Sequence, residues 1–390
     1  MALMGNLKTA NLRRMASEFN SLSRVALAAI QEGVIPGLVV AVGQAGQVRF
    51  LTAFGYRQVE PEAQEAITDT VYDLASLTKA LVTSLLVMRG VGDGLLHLDR
   101  PLGDHLEILA DRPDVTLRRT LAHAAGFPAH RKLYEAMAHG VEPRPDGRAA
   151  IVRGAAMEPA VYAPGSRSIY SDLGFILLGE LLEKSMGARL DVLADRLLFK
   201  PLQLSSTGFV DLLAGGAQAS FRGRHDVAPT ERCPVRGRLV LGEVHDLNAY
   251  AMGGVAGHAG LFANASDLLH LSFALLAAYR GTGIAGGPLL VPPDVLRLFW
   301  QPAGIPGSTW RLGWDGPAAK GSLAGSLLSR RAVGHLSFTG CSLWIDPEQE
   351  TCVVVLCNRI HPEVRDDPRF RALRPALNDA ALEAIGYRSR

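Results

Sequence analysis

Strand-like patterns stand at the two ends of this 390-residue chain, and helix-like patterns fill the stretch between them. Near the start, Leu38 to Val42 and Val48 to Phe54 are apolar runs that flank the turn-like Gln44-Ala45-Gly46-Gln47, which predicts a β-hairpin. Near the end, Arg331 to Asp346 and Thr351 to Asn358 read as two strands joined by a turn at Asp346-Pro347-Glu348. Helical spacing precedes the first hairpin, over Leu22 to Glu32, and Gly33 and Pro36 stop it. A last helix is expected from about Pro368 to Ile385. This order implies one antiparallel sheet assembled from both termini and flanked by helices. The expected fold class is α+β, an α/β sandwich with an inserted, mostly helical lobe.

The inserted lobe is expected from 96 to 235, where short helical patterns alternate with breaks such as Asp99-Arg100-Pro101, Gly126-Phe127-Pro128 and Ala163-Pro164-Gly165. The sheet domain is then 20 to 95 together with 236 to 390. Composition fits a globular body: 48% hydrophobic and 20% charged residues, with a net charge of +2. That charge points to neither nucleic acid nor an anionic membrane surface. No window has the ~18 uninterrupted apolar residues of a membrane span. The first twenty residues contain no apolar core of a secretory signal, so a cytoplasmic location is expected, although an exported chain trimmed of its signal reads the same. The four cysteines, Cys233, Cys341, Cys352 and Cys357, lack C-x-x-C spacing and read as buried free thiols.

Chemistry enters at Ser76-Leu77-Thr78-Lys79, which opens an apolar helix running to about Met88. Residues i and i+3 share a helix face. A serine at a helix start sits among free backbone N–H groups, which suits a developing oxyanion. Desolvation of a lysine one turn later lowers its pKa and lets it relay a proton. Only six lysines occur, yet one such pair is weak evidence, since a serine at a helix start also serves as a plain N-cap. Tyr170-Ser171-Asp172 precedes a second apolar helix from Leu173 to Leu182. Beside an ammonium a phenol pKa falls, so Tyr170 can act as base and acid, and Asp172 can hold Lys79 by a charge-assisted bond. The plainer reading makes Ser171 or Asp172 a helix cap and Tyr170 a packing residue. Gly334-His335-Leu336-Ser337-Phe338-Thr339-Gly340 opens a late strand; one N–H there can join that of Ser76 around an oxyanion, and His335 can bind a carboxylate or adjust Tyr170. The plainer reading is a bulge with a surface histidine.

The order of these three motifs resembles the active-serine penicillin-recognising family, which includes class C β-lactamases and penicillin-binding proteins. Leu121 to Pro128, Tyr162-Ala163-Pro164-Gly165 and Gly257 to Leu268 are similar to further segments of that family, so the resemblance spans roughly residues 22 to 360. It implies a β-lactamase/transpeptidase-like fold, Ser76 as nucleophile, Lys79 as the buried amine, Tyr170 as general base or acid, and an oxyanion hole from the N–H groups of Ser76 and Phe338. Asp172, His335 and Ser337 are implied to support the site or bind substrate. Asp172 stands where many members have Asn, and a carboxylate cannot donate to a substrate carbonyl. His335 replaces the lysine of a K-T-G strand and loses its fixed charge at neutral pH. Leu336 lacks a hydroxyl donor.

These departures favour an esterase on small acyl esters, with an acyl-enzyme mechanism. A β-lactamase or D-alanyl-D-alanine carboxypeptidase stands second, a cytoplasmic acyltransferase third, and a catalytically silent binding or sensor module on the same fold is the reading from another class. The partner is a small-molecule acyl substrate, and no cofactor is expected. A metal site at His123, His130 and His258 lacks ligand spacing. Lys320-Gly321-Ser322 is a weak alternative strand motif. His245, Asp246 and Asn248 read slightly better as loop residues than as a cleft rim. Trp310, Trp314 and Trp344 read as core residues rather than as an acyl wall. No G-x-S-x-G elbow is present.

Overall fold

A computed structural model describes residues 19–387 except 138–139, 215–217, 220, 222–225 and 284–288. The reading of the first twenty residues as lacking a secretory signal falls mainly on residues 1–18, outside the described residues. The strands are β1 (Gly37–Gln44), β2 (Gln47–Gln58), β3 (Gln64–Glu65), β4 (Tyr72–Asp73), β5 (Gly208–Asp211), β6 (Gln218–Ala219), β7 (Arg232–Cys233), β8 (Arg238–Leu239), β9 (Leu261–Ala263), β10 (Val333–Leu336), β11 (Ser342–Asp346) and β12 (Thr351–Cys357). The main sheet has the order β10-β11-β12-β1-β2-β3, and β4-β9-β5-β6 form a smaller one.

The two chain ends meet at the centre of the main sheet. β1 pairs antiparallel with β12, from Leu38 opposite Cys357 to Gln44 opposite Thr351. β1 and β2 are joined by Ala45 and Gly46, both at positive φ (50° and 75°), a two-residue turn that matches the strand twist. Alternation along β1 splits its side chains between two cores. Leu38, Val40 and Val42 pack with the helices Asn20–Gln31 and Pro368–Ala384, through Leu22, Ala26 and Leu377. Val39 and Ala41 join Leu268 and Leu275 of the helix Ala265–Arg280 on the other face. Both faces are covered, which is why β1 reads as a continuous apolar run. Each such valine or leucine contributes about 1.5–3 kcal/mol by leaving water.

The late strand region differs from the sequence expectation. Arg331 to Asp346 is two strands, β10 and β11, which pair antiparallel from Val333 opposite Ile345 to Leu336 opposite Ser342. Residues 337–341 reverse the chain between them. Ser337 N–H donates to the Cys341 carbonyl at 2.9 Å, and Gly340 sits at φ 117°, where a side chain would also strike Cys357 Sγ. Alternating apolar residues concealed this turn. β10 therefore forms the sheet edge, and the turn projects Phe338.

The Ser76 segment enters a buried helix. Lys79–Ser84 is wound as a π-helix and continues as the α-helix Leu85–Gly92, and every side chain from Lys79 to Ser84 is buried. Such wide turns recur at functional sites. The helix Asp172–Met186 packs beside it, with Leu173 to Gly179 buried. The four cysteines are free and buried. No described helix is long and apolar enough to cross a membrane.

Candidate active site

Ser76 follows Ala75, a non-glycine residue held at φ 43°. Such a conformation persists only where surroundings enforce it. The brace is Asp73, which is buried and accepts hydrogen bonds from Ala75 N–H at 2.8 Å and from His245 N–H at 2.7 Å. Thr339 Oγ1 donates to the Asp73 carbonyl at 2.8 Å and lies 2.9 Å from Ser337 Oγ. The turn after β10 is thus tied to the turn that carries Ser76. Among the described residues, neither Ser76 N–H nor Phe338 N–H makes a hydrogen bond to protein.

Lys79 is fully buried, and its three ammonium protons have three acceptors: Ser76 Oγ at 2.9 Å, the His258 carbonyl at 3.1 Å and Asp172 Oδ1 at 2.8 Å. Burial works against the charge, but Asp172 and Tyr170 outweigh it and raise the lysine pKa above its ordinary value. This reverses the expectation that desolvation lowers it. Burial likewise opposes ionisation of Asp172, but Lys79, His130 and His258 hold its carboxyl far below the usual range. The second oxygen, Oδ2, accepts from His130 Nδ1–H at 2.9 Å.

Tyr170 is held between Trp310, stacked at 5.4 Å and 19°, and His123 at 4.7 Å. Lys79 Nζ lies 5.0 Å from the centre of its ring. Its hydroxyl is buried and makes no well-formed hydrogen bond in this resting state. Lys79 and Ser76 are near enough to stabilise a phenolate, yet burial dominates and raises the phenol pKa. The fall expected from the ammonium alone does not occur. The expected cap is present beside it: Ser171 Oγ accepts from Leu173 N–H at 3.2 Å and donates to the Pro128 carbonyl at 2.7 Å. Asp172 is the first residue of that helix and grips Lys79, so capping and ion pairing fall to adjacent residues.

His335 is buried rather than at the surface. Its Nδ1–H donates to the Leu336 carbonyl at 2.7 Å, so the neutral ring presents a bare Nε2, which has no partner. Burial, aided by Lys79, lowers its pKa to about 3. A neutral ring with an outward lone pair repels a carboxylate, so the carboxylate-binding role raised from sequence does not fit. Ser337 is tied into the turn, whereas Phe338 is 48% exposed and stacks on His245 at 5.4 Å.

These groups surround one cleft of about 570 Å3, lined by Ser76, Tyr170, Asp172, His335, Ser337 and Phe338, with Lys79 directly beneath Ser76. Several sequence readings change here. His245, Asp246, Asn248 and Trp310 line the cleft rather than serving as loop or core residues. Trp314 and Trp344 are core residues, as expected. Gly321 and Ser322 of the alternative motif line a separate groove. His123, His130 and His258 bond separately, to Ser171, Asp172 and Asp246, and no group of three or more metal-ligating side chains occurs among the described residues. Burial opposes the charge on Asp246, but His258 holds its carboxyl down at about 2.

Sequence reasoning missed Asp73, Arg374 and Glu231, which lines the cleft 2.9 Å from His245 Nε2. Arg374 comes from the helix Pro368–Ala384, lines the cleft and donates from its Nη2 to the Ser337 carbonyl at 2.6 Å. Burial lowers its pKa to about 10, which leaves it charged at neutral pH. No local motif marks it, because only the tertiary fold brings the last helix to the end of β10.

The family model described as Beta-lactamase matches residues 16–378. A putative D-alanyl-D-alanine carboxypeptidase of Escherichia coli (strain K12) is 32% identical over 319 residues, covering 77% of this chain and 72% of that one. An N-acetylmuramyl-L-alanine amidase of Bacillus subtilis (strain 168) is 30% identical over 356 residues, covering 85% and 79%. Among solved structures, EstCE1, a hydrolase with promiscuous acyltransferase activity, superposes with a TM-score of 0.69 at 22% identity, covering 95% of this chain and 98% of that one. With the fold, the motif order and the family match in agreement, the chain belongs to the beta-lactamase family of serine hydrolases.

Proposed function

We propose that the chain hydrolyses small, carboxylate-bearing acyl substrates joined through an amide, by way of an acyl-enzyme on Ser76. Ser76 Oγ attacks the substrate carbonyl, and its proton passes to the Lys79 and Tyr170 pair. The N–H groups of Ser76 and Phe338 receive the oxyanion; one such donor is worth about 2.7–4 kcal/mol. The pair returns the proton to the leaving amine, and water then opens the acyl-enzyme.

Arg374 is the observation that carries the choice of substrate. The strand lysine of the family is absent, and His335 is neutral, but the Arg374 guanidinium brings a positive charge to the same strand end. A bare His335 Nε2 accepts from an N–H, which an amide substrate has and a simple ester lacks. The relatives named for D-alanyl peptides and for a muramyl amidase support the same class. A second reading, an esterase or acyltransferase on small apolar acyl groups, is supported by Trp310, Leu336 and Phe338 on the cleft wall.

A direct comparison separates them. An N-acylated D-Ala-D-Ala peptide and p-nitrophenyl acetate are assayed with the wild type and with Arg374→Gln. The first reading expects peptide turnover, and a KM for the peptide that rises about 10- to 100-fold in the variant while the ester is unaffected. Ester turnover with the peptide ignored by the wild type selects the second.

A further inference from the structure

Asp172 joins two cationic groups of very unequal access to water. Oδ1 faces the fully buried Lys79 at 2.8 Å, and Oδ2 faces Nδ1 of His130 at 2.9 Å. The His130 side chain is 48% exposed at the cleft mouth. With the 2.9 Å bond from Lys79 to Ser76, hydrogen bonds run unbroken from the Ser76 hydroxyl to solvent.

This arrangement bears on a difficulty in the resting site. Lys79 keeps its proton because Asp172 stabilises the ammonium, and Tyr170 keeps its own because it is buried. Neither is ready to accept a proton from Ser76. A carboxylate at 172 creates the difficulty, since a buried anion requires a cation beside it. Two groups contact Asp172 and can carry that cation, and one of them reaches solvent.

We propose that His130 is a positioning residue that takes over as the positive partner of Asp172, so that Lys79 stands as a neutral amine and receives the Ser76 proton. The proposal rests on Ser76 being the nucleophile. The protons balance: His130 Nε2 gains one from solvent, and Lys79 releases one through the cleft. When the Ser76 O–H breaks and the Oγ–C bond forms, that proton makes Lys79 an ammonium. The proton then leaves on the departing group by way of the Tyr170 hydroxyl, and Lys79 returns to the amine. His130 stays charged throughout and holds Asp172 in place.

The groups facing His130 fit this role. Asp172, from the helix Asp172–Met186, and Asp246, before the helix Leu247–Ala251, both favour its charge, while Lys79 opposes it. Its chain neighbours are engaged elsewhere: Arg131 with Glu158, and Lys132 with Glu135. The bond to Asp172, more than offsetting partial burial, raises the His130 pKa above its ordinary value, so the ring holds its proton to higher pH than a free histidine does.

The test follows Ser76 reactivity directly, as the rate of labelling by a fluorophosphonate between pH 5 and 10, read by intact mass. Wild type should show an acid limb, because the doubly protonated His130 and Lys79 pair has no free amine and must lose one proton before the reactive form exists. His130→Asn keeps a donor toward Asp172 but carries no charge. It should lose that limb and slow at pH 7 on the order of 10- to 100-fold. His130→Ala should be accelerated by added imidazole. In an Asp172→Asn background, His130→Asn should change nothing further. A wild-type rate and limb in His130→Asn overturns the proposal, as does an equal loss at every pH without imidazole rescue in His130→Ala. Labelling that persists in Ser76→Ala, or is absent in wild type, instead removes the assignment of Ser76.

Discussion

The Asp172 carboxylate lies 2.8 Å from the Lys79 ammonium, and the lysine side chain has no exposure to solvent. Each charge is stabilised there chiefly by the other, and His130 gives the carboxylate a second partner. Lys79→Met should therefore cost up to about 3–5 kcal/mol, because it removes the buried partner and leaves the carboxylate to the more exposed His130. Lys79→Met with Asp172→Asn should regain part of the loss. Urea midpoints of the three proteins check this. The pH signs are opposite for the two partners. Asp172 has a depressed folded pKa, so its contribution exists above the ordinary carboxylate value and disappears as pH falls through the folded one. Lys79 has a raised pKa, so its contribution exists below the ordinary lysine value and disappears as pH rises through the folded one. The ammonium form of Lys79 is thus the resting form across the neutral range, and the reactive form proposed above, with the charge on His130, is its minor proton tautomer.

Tyr170→Phe separates catalysis from packing. The ring is held by Trp310 and His123, and the buried hydroxyl lies beside Lys79 and Ser76 without a well-formed hydrogen bond. Removing an unsatisfied buried hydroxyl is neutral or slightly stabilising. Removing a general acid and base costs on the order of 100- to 10,000-fold in kcat. The expected variant melts at or above the wild-type temperature and is nearly inactive. A variant that keeps its activity leaves Tyr170 a packing residue.

The two sheet-forming ends of the chain were legible because hairpin and strand signals are local. The apolar runs of β1 and β12, and the Ala45-Gly46 turn, follow from neighbouring residues alone. The turn between β10 and β11 was not legible, because Ser337 to Cys341 alternates like a strand and only Gly340 at positive φ betrays the reversal. Ser76, Lys79 and Asp172 were found from motif order, and the geometry brings them together. Their protonation was harder. Desolvation of Lys79 was foreseen, but its balance against Asp172 depends on a distance that spacing does not supply. Arg374, Trp310 and Asp73 were missed or misread for the same reason: tertiary packing brings the first two to the cleft and the third against the Ser76 turn, with no signature in their own segments.

His335 supplies a pH test of stability. Its folded pKa is about 3, against an ordinary value of 6.5. Between those values the unfolded chain binds a proton that the native protein does not, so stability falls as pH drops through that window. His335→Gln should flatten the fall. Urea midpoints at pH 7, 5.5 and 4.5 measure the difference between the two proteins. Parallel curves would show that His335 protonates freely in the folded state.

The nucleophile is tested most directly by locating the covalent adduct. Wild type and Ser76→Ala are incubated with a fluorophosphonate, digested and mapped by mass spectrometry. One adduct per chain, on Ser76 and absent from the variant, is the expected result. An adduct on another residue, or equal labelling of Ser76→Ala, would contradict the assignment.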